Sequence, residues 1–220
     1  MSGSDVDRDR RAAIVALRLS EGGVPQFKWL YRQLEQRGAS EAARILTPAY
    51  RDVVVMNDDR LTSATLVARL AALAADAEVD AVDLVLVVHG LRGRLQFSAD
   101  DVRPATELAA RLAESGAGPK LRLLYSSACF GATHADALLG AGFSAVIGAE
   151  QKNTTGYSEF RRLLAEWTGG ATAADAVARS DRPVPRLFWD VVARVLGRMR
   201  HVNSRKRLAG DPTVTIATAP

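Results

Sequence analysis

The chain has 220 residues, 48% of them apolar and 25% charged, with a formal net charge of +4, which is the make-up of an ordinary soluble globule and long enough for one full core. No apolar run approaches the ~18 residues of a membrane span, and MSGSDVDRDRR lacks the apolar middle of a secretory leader. A cytoplasmic protein with no membrane association is therefore expected.

Residues 1–11 alternate acid and arginine without an apolar period and read as a disordered tail, leaving 12–220 as a single domain. AAIVALRLS (12–20) reads as a buried strand. After Gly22-Gly23 and Pro25, FKWLYRQLEQRG puts Phe27, Leu30, Tyr31 and Leu34 on one helical stripe and stops at Gly38, a residue suited to a helix end. DVVVMN (52–57) is a second, β-branched strand. The helix after it begins near Thr62 or Ser63 and carries Leu66, Leu70, Leu73 and Ala77 at helical spacing. AVDLVLVVHG (81–90) has almost no polar alternation, as expected of a parallel strand covered on both faces in the middle of a sheet.

LRGRLQFSADD, with Gly93 and the alternating Leu95 and Phe97, predicts a small hairpin before a helix at about 104–115. LRLLYSSA (121–128) is the fourth strand, HADALLGAG a short helix ended by Gly140 and Gly142, and FSAVIGAE (143–150) the fifth strand. YSEFRRLLAEWTGG, TAADAVARS and PRLFWDVVARVLGRMRH follow as helical stretches. RLAGDPTVTIA closes the chain as a sixth strand after a Gly-Asp-Pro turn. Trp29, Trp167 and Trp189 fall on helical stripes and read as core. The cluster RMRHVNSRKR is too diffuse to imply nucleic acid and reads as a solvated face. Strands alternating with helices predict an α/β fold, a mostly parallel six-stranded sheet with right-handed crossovers and helices on both faces. That order would equally fit a flavodoxin-like binding domain, so function must come from a site.

Two strands supply one. The third closes on His89-Gly90 and the fourth on Cys129-Phe130-Gly131. Ligands of open α/β sheets bind beyond the carboxyl ends of parallel strands, so neighbouring strands ending this way place thiol and imidazole at one mouth. A thiol is only a few per cent ionised at neutral pH while the thiolate is the nucleophile, and an imidazole that takes its proton is the simplest activation. His89 can then protonate the leaving amine, with no metal and no cofactor. With a single cysteine no intrachain disulfide forms, and a zinc site would have only Cys129, three histidines and carboxylates to draw on. Alone, Cys129 would read as a small buried hydrophobe and His89 as a satisfied polar residue. Their joint position is what points to a catalytic dyad.

A parallel sheet whose third strand ends in His-Gly and whose fourth ends in an Ala-Cys-x-Gly turn resembles the caspase-like (clan CD) cysteine peptidases, a three-layer sandwich. Within that clan the CHAT group is the nearest likeness. SSACFGATHADALLGAGFSAVIGA is similar to its Ser-Ala-Cys turn, short helix and Ala-Val-Ile-Gly strand, YSEFRRLLAEWTGGATAADAVARS to its next two helices, and LAGDPTVTI to its closing Gly-Asp-Pro strand. The likeness covers roughly residues 80–216. Cys129 is followed by Phe130-Gly131-Ala132 where the CHAT pattern more often has Glu-Thr-Gly, and no helical repeat array accompanies the domain. The resemblance implies an endopeptidase with an oxyanion hole built from the N–H groups of Gly90 and Cys129. It also implies a bacterial effector in defence or programmed death, with a protein or peptide substrate and a separate regulatory or sensor protein.

Gly131 is expected to let the chain turn from strand into helix with Cys129 exposed at the tip. Asp100, Asp101 and Glu150 fall in loops expected to rim the carboxyl edge, and a carboxylate there would favour Arg or Lys before the scissile bond. Arg92, Arg94 and Arg103 in the hairpin region could instead build a pocket for an acid. His134 reads as a helix-start or rim residue and His201 as a surface residue near a helix end. The rival to an enzyme is a caspase-fold scaffold or ligand-binding module that uses the crevice only to bind.

Overall fold

The computed structural model describes residues 5–21, 28–57, 60–195 and 197–220, the side chains of 156–158 excepted. The expected loop at Gly22-Gly23 and Pro25, and Phe27, lie outside the described residues. The elements run β1 (Arg11–Arg18), α1 (Lys28–Leu46), β2 (Asp52–Met56), α2 (Ser63–Ala75), β3 (Ala81–Leu91), β4 (Arg94–Gln96), β5 (Val102–Pro104) and α3 (Ala105–Glu114). They continue with β6 (Leu121–Ser126), α4 (Ala135–Gly140), β7 (Ala145–Ala149), α5 (Gly156–Thr168), α6 (Ala173–Ser180), α7 (Pro183–Val195) and β8 (Lys206–Gly210). The main sheet has the order β2-β1-β3-β6-β7-β8. Neighbours from β2 to β7 are parallel and β8 is antiparallel to β7. β4 pairs antiparallel with the end of β3 and β5 with β4, which brings the sheet to eight strands.

The first eight residues of β3 are all buried, as a strand covered on both faces requires. One face packs Ile14, Leu84, Leu86 and Leu124 against Leu66, Leu70 and Leu108 of α2 and α3. The other packs Val15, Val85, Tyr125 and Ile147 against Ala42 and Leu46 of α1 and Phe160, Leu163 and Trp167 of α5. The Thr62 side chain accepts the Thr65 N–H in a capping box and starts α2 where expected. Leu66, Leu70 and Leu73 are buried, whereas Ala77 lies past the helix end and is exposed.

Several expectations fail for reasons of packing. α1 does not stop at Gly38 but continues to Leu46, because Glu35, Ala39, Ala42 and Leu46 extend a buried stripe across that glycine. Leu30 is therefore on the outer side, and Trp29 is 66% exposed. Trp167 is core, but Trp189 on α7 is 49% exposed. The closing strand precedes the Gly-Asp-Pro turn rather than following it: β8 ends at Gly210, and Val214 and Ile216 beyond it cover one sheet face without joining it. The expected tail is pinned over the residues described, since Val6 is buried and its N–H donates to the Ala217 carbonyl at 2.7 Å. Among the described residues no helix is long and apolar enough to cross a membrane.

Candidate active site

β3 and β6 lie side by side with Leu86 opposite Ser126, so their carboxyl ends open at one edge. Ser127 N–H donates to the Leu86 carbonyl at 2.9 Å and carries the pairing one residue further. Gly90 then meets the turn after β6. A Cβ built on Gly90 would lie 2.9 Å from Ala128 Cβ and 3.1 Å from Cys129 N, and would overlap the Cys129 carbonyl oxygen. Only a residue without a side chain admits that approach, and the end of β3 at His89-Gly90 thereby runs against the turn that carries Cys129.

Cys129 is half-buried rather than exposed at a tip. Its Sγ accepts the Asn153 N–H at 3.4 Å. Burial pushes the thiol pKa up, and the Asn153 N–H and the charges of Lys152 and Lys206 oppose this without reversing it. At rest and neutral pH the group is a thiol.

His89 Nε2 lies 2.7 Å from the Leu19 carbonyl oxygen. A carbonyl only accepts, so Nε2 carries a proton, and in the neutral ring Nδ1 is the nitrogen with the lone pair that can act as base. The ring also meets Tyr31 of α1 edge-on, with centroids 5.7 Å apart. Leu19 is itself held: its N–H and that of Ser20 donate to the buried Glu35 carboxylate, the second at 2.8 Å. A carboxylate on α1 thus fixes the chain beyond β1, and that chain fixes the imidazole. A charged residue on an otherwise apolar stripe of α1 was the sequence signal for Glu35; the Leu19 carbonyl had none.

The turn after Cys129 differs from expectation. The left-handed residue is Phe130, with φ 58°, and its N–H donates to Gln151 O at 2.8 Å. Gly131 is needed for a close approach to β7, since its Cβ would lie 3.0 Å from Gly148 Cα. Asn153, unmarked by the sequence, links the turn to a buried polar cluster. Its Nδ2 donates to Ser127 O at 2.8 Å and its Oδ1 accepts the Thr155 N–H at 3.2 Å. Thr154 and Ser204 donate to Asp190 of α7 at 2.8 and 2.6 Å, and Thr155 and Lys206 to Glu159 of α5.

The expected pocket acids separate. Asp101 is buried and structural: it accepts the Ser63 N–H and hydroxyl at 2.7 and 2.8 Å and Arg103 Nε at 2.8 Å, anchoring the start of α2. Burial raises its pKa, but these donors outweigh burial and the net direction is down. Its carboxylate is committed to the fold and leaves the pocket set, and Arg103, also paired with Glu107, leaves the alternative one. Asp100 is exposed. Glu150 is half-buried and accepts Asn203 Nδ2 at 2.7 Å. Arg92, exposed two residues past Gly90, places its guanidinium 5.0 Å from the Phe130 ring centroid, whereas Arg94 is exposed on β4. His134 stands at the start of α4 as expected but not on the rim: it is fully buried with Nε2 2.9 Å from Leu91 O, and burial pushes its pKa down against the Leu91 and Arg94 backbone. His201 is exposed. Among the described residues no cluster of three or more His, Cys, Asp or Glu side chains could hold a metal ion.

The same sheet occurs in known peptidases. Caspase-1 from Spodoptera frugiperda superposes with a TM-score of 0.61 at 13% identity over 96% of this chain and 93% of that one. The fold is caspase-like. A secreted C11 cysteine protease from Bacteroides thetaiotaomicron, solved with an irreversible peptide inhibitor, gives 0.58 at 9% identity over 80% of this chain and 58% of that one. The Drosophila initiator caspase Dronc gives 0.56 at 10% identity over 98% and 84%. No family model and no curated protein sequence matches the chain. At these identities the likeness carries the fold, and the chemistry has to stand on the residues.

Proposed function

We propose that this chain is a clan CD cysteine endopeptidase that hydrolyses peptide bonds in protein substrates through Cys129 and His89. The observation that supports the reading is the backbone approach of Gly90, the residue after His89, to Cys129, the one cysteine of the chain. His89 Nδ1 takes the Cys129 proton as Sγ attacks the scissile carbonyl carbon. The N–H groups of Gly90 and Cys129 receive the oxyanion, the C–N bond breaks, and the imidazolium proton leaves with the amine. Water then attacks the thioester, its proton passes to His89, and Cys129 is released as the thiol. The raised thiol pKa favours an enzyme that is latent until substrate or a regulatory protein rearranges the Asn153 loop. A CHAT-type bacterial effector of the cytoplasm, acting in defence or programmed death, is the setting that the sequence resemblance supports.

For the residue before the scissile bond, Glu150 and Asp100 support a basic preference, and the position of Arg92 over Phe130 supports an acidic one. The test is cleavage of a peptide library by the wild type beside Cys129→Ala, followed by matched peptides with Arg, Leu or Asp at that position. Turnover lost in Cys129→Ala is expected, with Arg preferred and the preference weakened by Glu150→Gln. Asp preferred and lost in Arg92→Ala would replace the basic pocket with the acidic one. Turnover undiminished in Cys129→Ala would overturn the Cys129 mechanism, and no turnover by either protein would leave a caspase-fold scaffold or binding module as the reading.

A further inference from the structure

α7 turns its apolar side to solvent. Val184, Leu187, Phe188, Val191 and Val195 recur at i, i+3, i+4, i+7 and i+11 along one face, and Val184 and Phe188 are 79% and 60% exposed. Trp189, in an edge contact with Phe188 at 5.3 Å, lies about 100° round the helix from it and off the stripe. The opposite face holds the helix to the protein: Asp190 is its one buried residue among those described, and it accepts bonds from Thr154 and Ser204. An apolar row of this length normally faces a core. Here it faces outward by construction, because the polar side is the anchored one.

The charge around α7 selects the occupant. Residues 182–207 contain eight of the 29 Lys and Arg residues and one of the 25 acids, a formal +7 against −3 for the remainder of the chain, and of these Lys206 is buried against Glu159 and Arg186 is paired with Asp181. The one acid is Asp190, buried and bonded inward. Arg182, Arg194, Arg198 and Arg200 are exposed, and so is Met199 between the last two. Two copies of α7 laid face to face would bring these arginines together with no exposed acid of 182–207 to answer them. Nucleic acid would use the arginines and leave the valines and Leu187 without a partner. A helix with Phe, Leu and Val on one side and arginines at its flanks matches the pattern of helices that lie in a membrane interface. Thirteen residues rise ~20 Å, too short to span a bilayer and sufficient to lie on one.

The geometry points to α7 as an interfacial helix that seats the protein on an anionic lipid surface, its apolar stripe at the acyl boundary and its flanking arginines on the headgroups. The seat is tied to the chemistry through Asp190 and Thr154, the residue after Asn153, so a protein bound this way presents the Cys129 loop from a membrane-anchored element. The proposal departs from the membrane-free protein expected from hydropathy, which searches for a spanning run and is blind to a short exposed face. It does not depend on the peptidase reading.

Flotation with phosphatidylcholine vesicles, with and without phosphatidylglycerol, tests it on the full chain carrying Cys129→Ala, so that no catalysis enters the readout. Co-flotation with the phosphatidylglycerol vesicles alone, weakened by salt, is expected. Phe188→Asp should reduce partition at least about tenfold, Arg198→Gln and Arg200→Gln about fivefold each, and Trp29→Asp, a control on exposed apolar surface elsewhere, not at all. All of these positions are exposed, and an unchanged melting temperature checks the fold. Protein that stays in the buffer with phosphatidylglycerol vesicles, or Phe188→Asp floating like the wild type, overturns the proposal. A concentration-dependent dimer that Phe188→Asp dissolves, without flotation, would assign the stripe to a second copy and overturn it equally.

Discussion

β3 and β6 carry a charged cluster at one end and the pair proposed as catalytic at the other, and the two ends are built on opposite principles. Near the amino ends, Asp83 receives Arg122 Nε and Nη2 at 3.0 and 2.7 Å, the Leu123 N–H at 3.0 Å, Trp167 Nε1 at 3.3 Å and the Tyr50 hydroxyl. Arg122 also donates to the carbonyls of Ile216 and Thr218. Burial pushes the Tyr50 hydroxyl pKa well up, and the Asp83 charge adds to this, so Tyr50 stays a donor. Both carboxylate oxygens are thus fully engaged, as a buried charge requires. At the carboxyl ends, among the described residues, the thiol accepts one long bond from Asn153 and the imidazole is held at Nε2 by Leu19. Side chains saturated with partners hold a fold, and side chains fixed by backbone groups with one atom left over can react.

Removing Asp83 should sharpen that contrast most. Asp83→Ala leaves Arg122 buried without its counter-charge and is expected to destabilise by ~3–5 kcal/mol, read by urea unfolding, while Cys129→Ala stays within ~0.5 kcal/mol of the wild type. A loss under ~1 kcal/mol for Asp83→Ala would mean that the cluster is not the structural end of the sheet.

Gly90→Ala tests the junction itself. The added Cβ must displace the Cys129 backbone, at a cost of ~1–3 kcal/mol by overpacking, and peptide turnover should fall at least about tenfold as the dyad is pushed apart. Full activity in a folded Gly90→Ala protein would show that the approach of the two strands is not what aligns the pair.

The smallest effect concerns Asp101. Its folded pKa is below the unfolded value, so it contributes stability above about pH 4 that is lost as the pH falls through the folded value. The contribution is ~1–2 kcal/mol for charge-assisted bonds to Ser63 and Arg103. Asp101→Asn should lower stability at pH 7 by that amount and flatten the acid limb of the stability curve without changing peptide preference. A changed preference would return Asp101 to the substrate pocket.

The order of strands, the central place of β3, the capped start of α2 and the burial of Trp167 were legible because each rests on local pattern: β-branched runs, Thr62 with Thr65, and leucines at helical spacing. Gly38 misled because a glycine inside a packed stripe looks in sequence like a helix end. Trp29 and Trp189 misled because a hydrophobic stripe records that a face is apolar, not which way it points. At the site, His89, Gly90 and Cys129 were visible as strand ends and Glu35 left a trace as a lone charge on an apolar stripe, whereas Leu19 and Asn153 act through long-range backbone bonds that leave no residue pattern. The raised thiol pKa was likewise hidden, since it comes from burial, which depends on the packed chain and not on the neighbours of Cys129 in sequence.

The most direct test is the rate at which a peptidyl electrophile modifies Cys129 at neutral pH in the wild type and in His89→Ala. A thiol that is protonated at rest should react with plain iodoacetamide slowly, and alike in both proteins, with the rate rising toward alkaline pH. A peptide seated in the mouth should make His89 Nδ1 draw the proton, so the peptidyl reagent should label the wild type at least ~100-fold faster than His89→Ala, at unchanged fold stability. Equal peptidyl labelling of the two proteins, or labelling of Cys129 only after denaturation, would contradict the dyad.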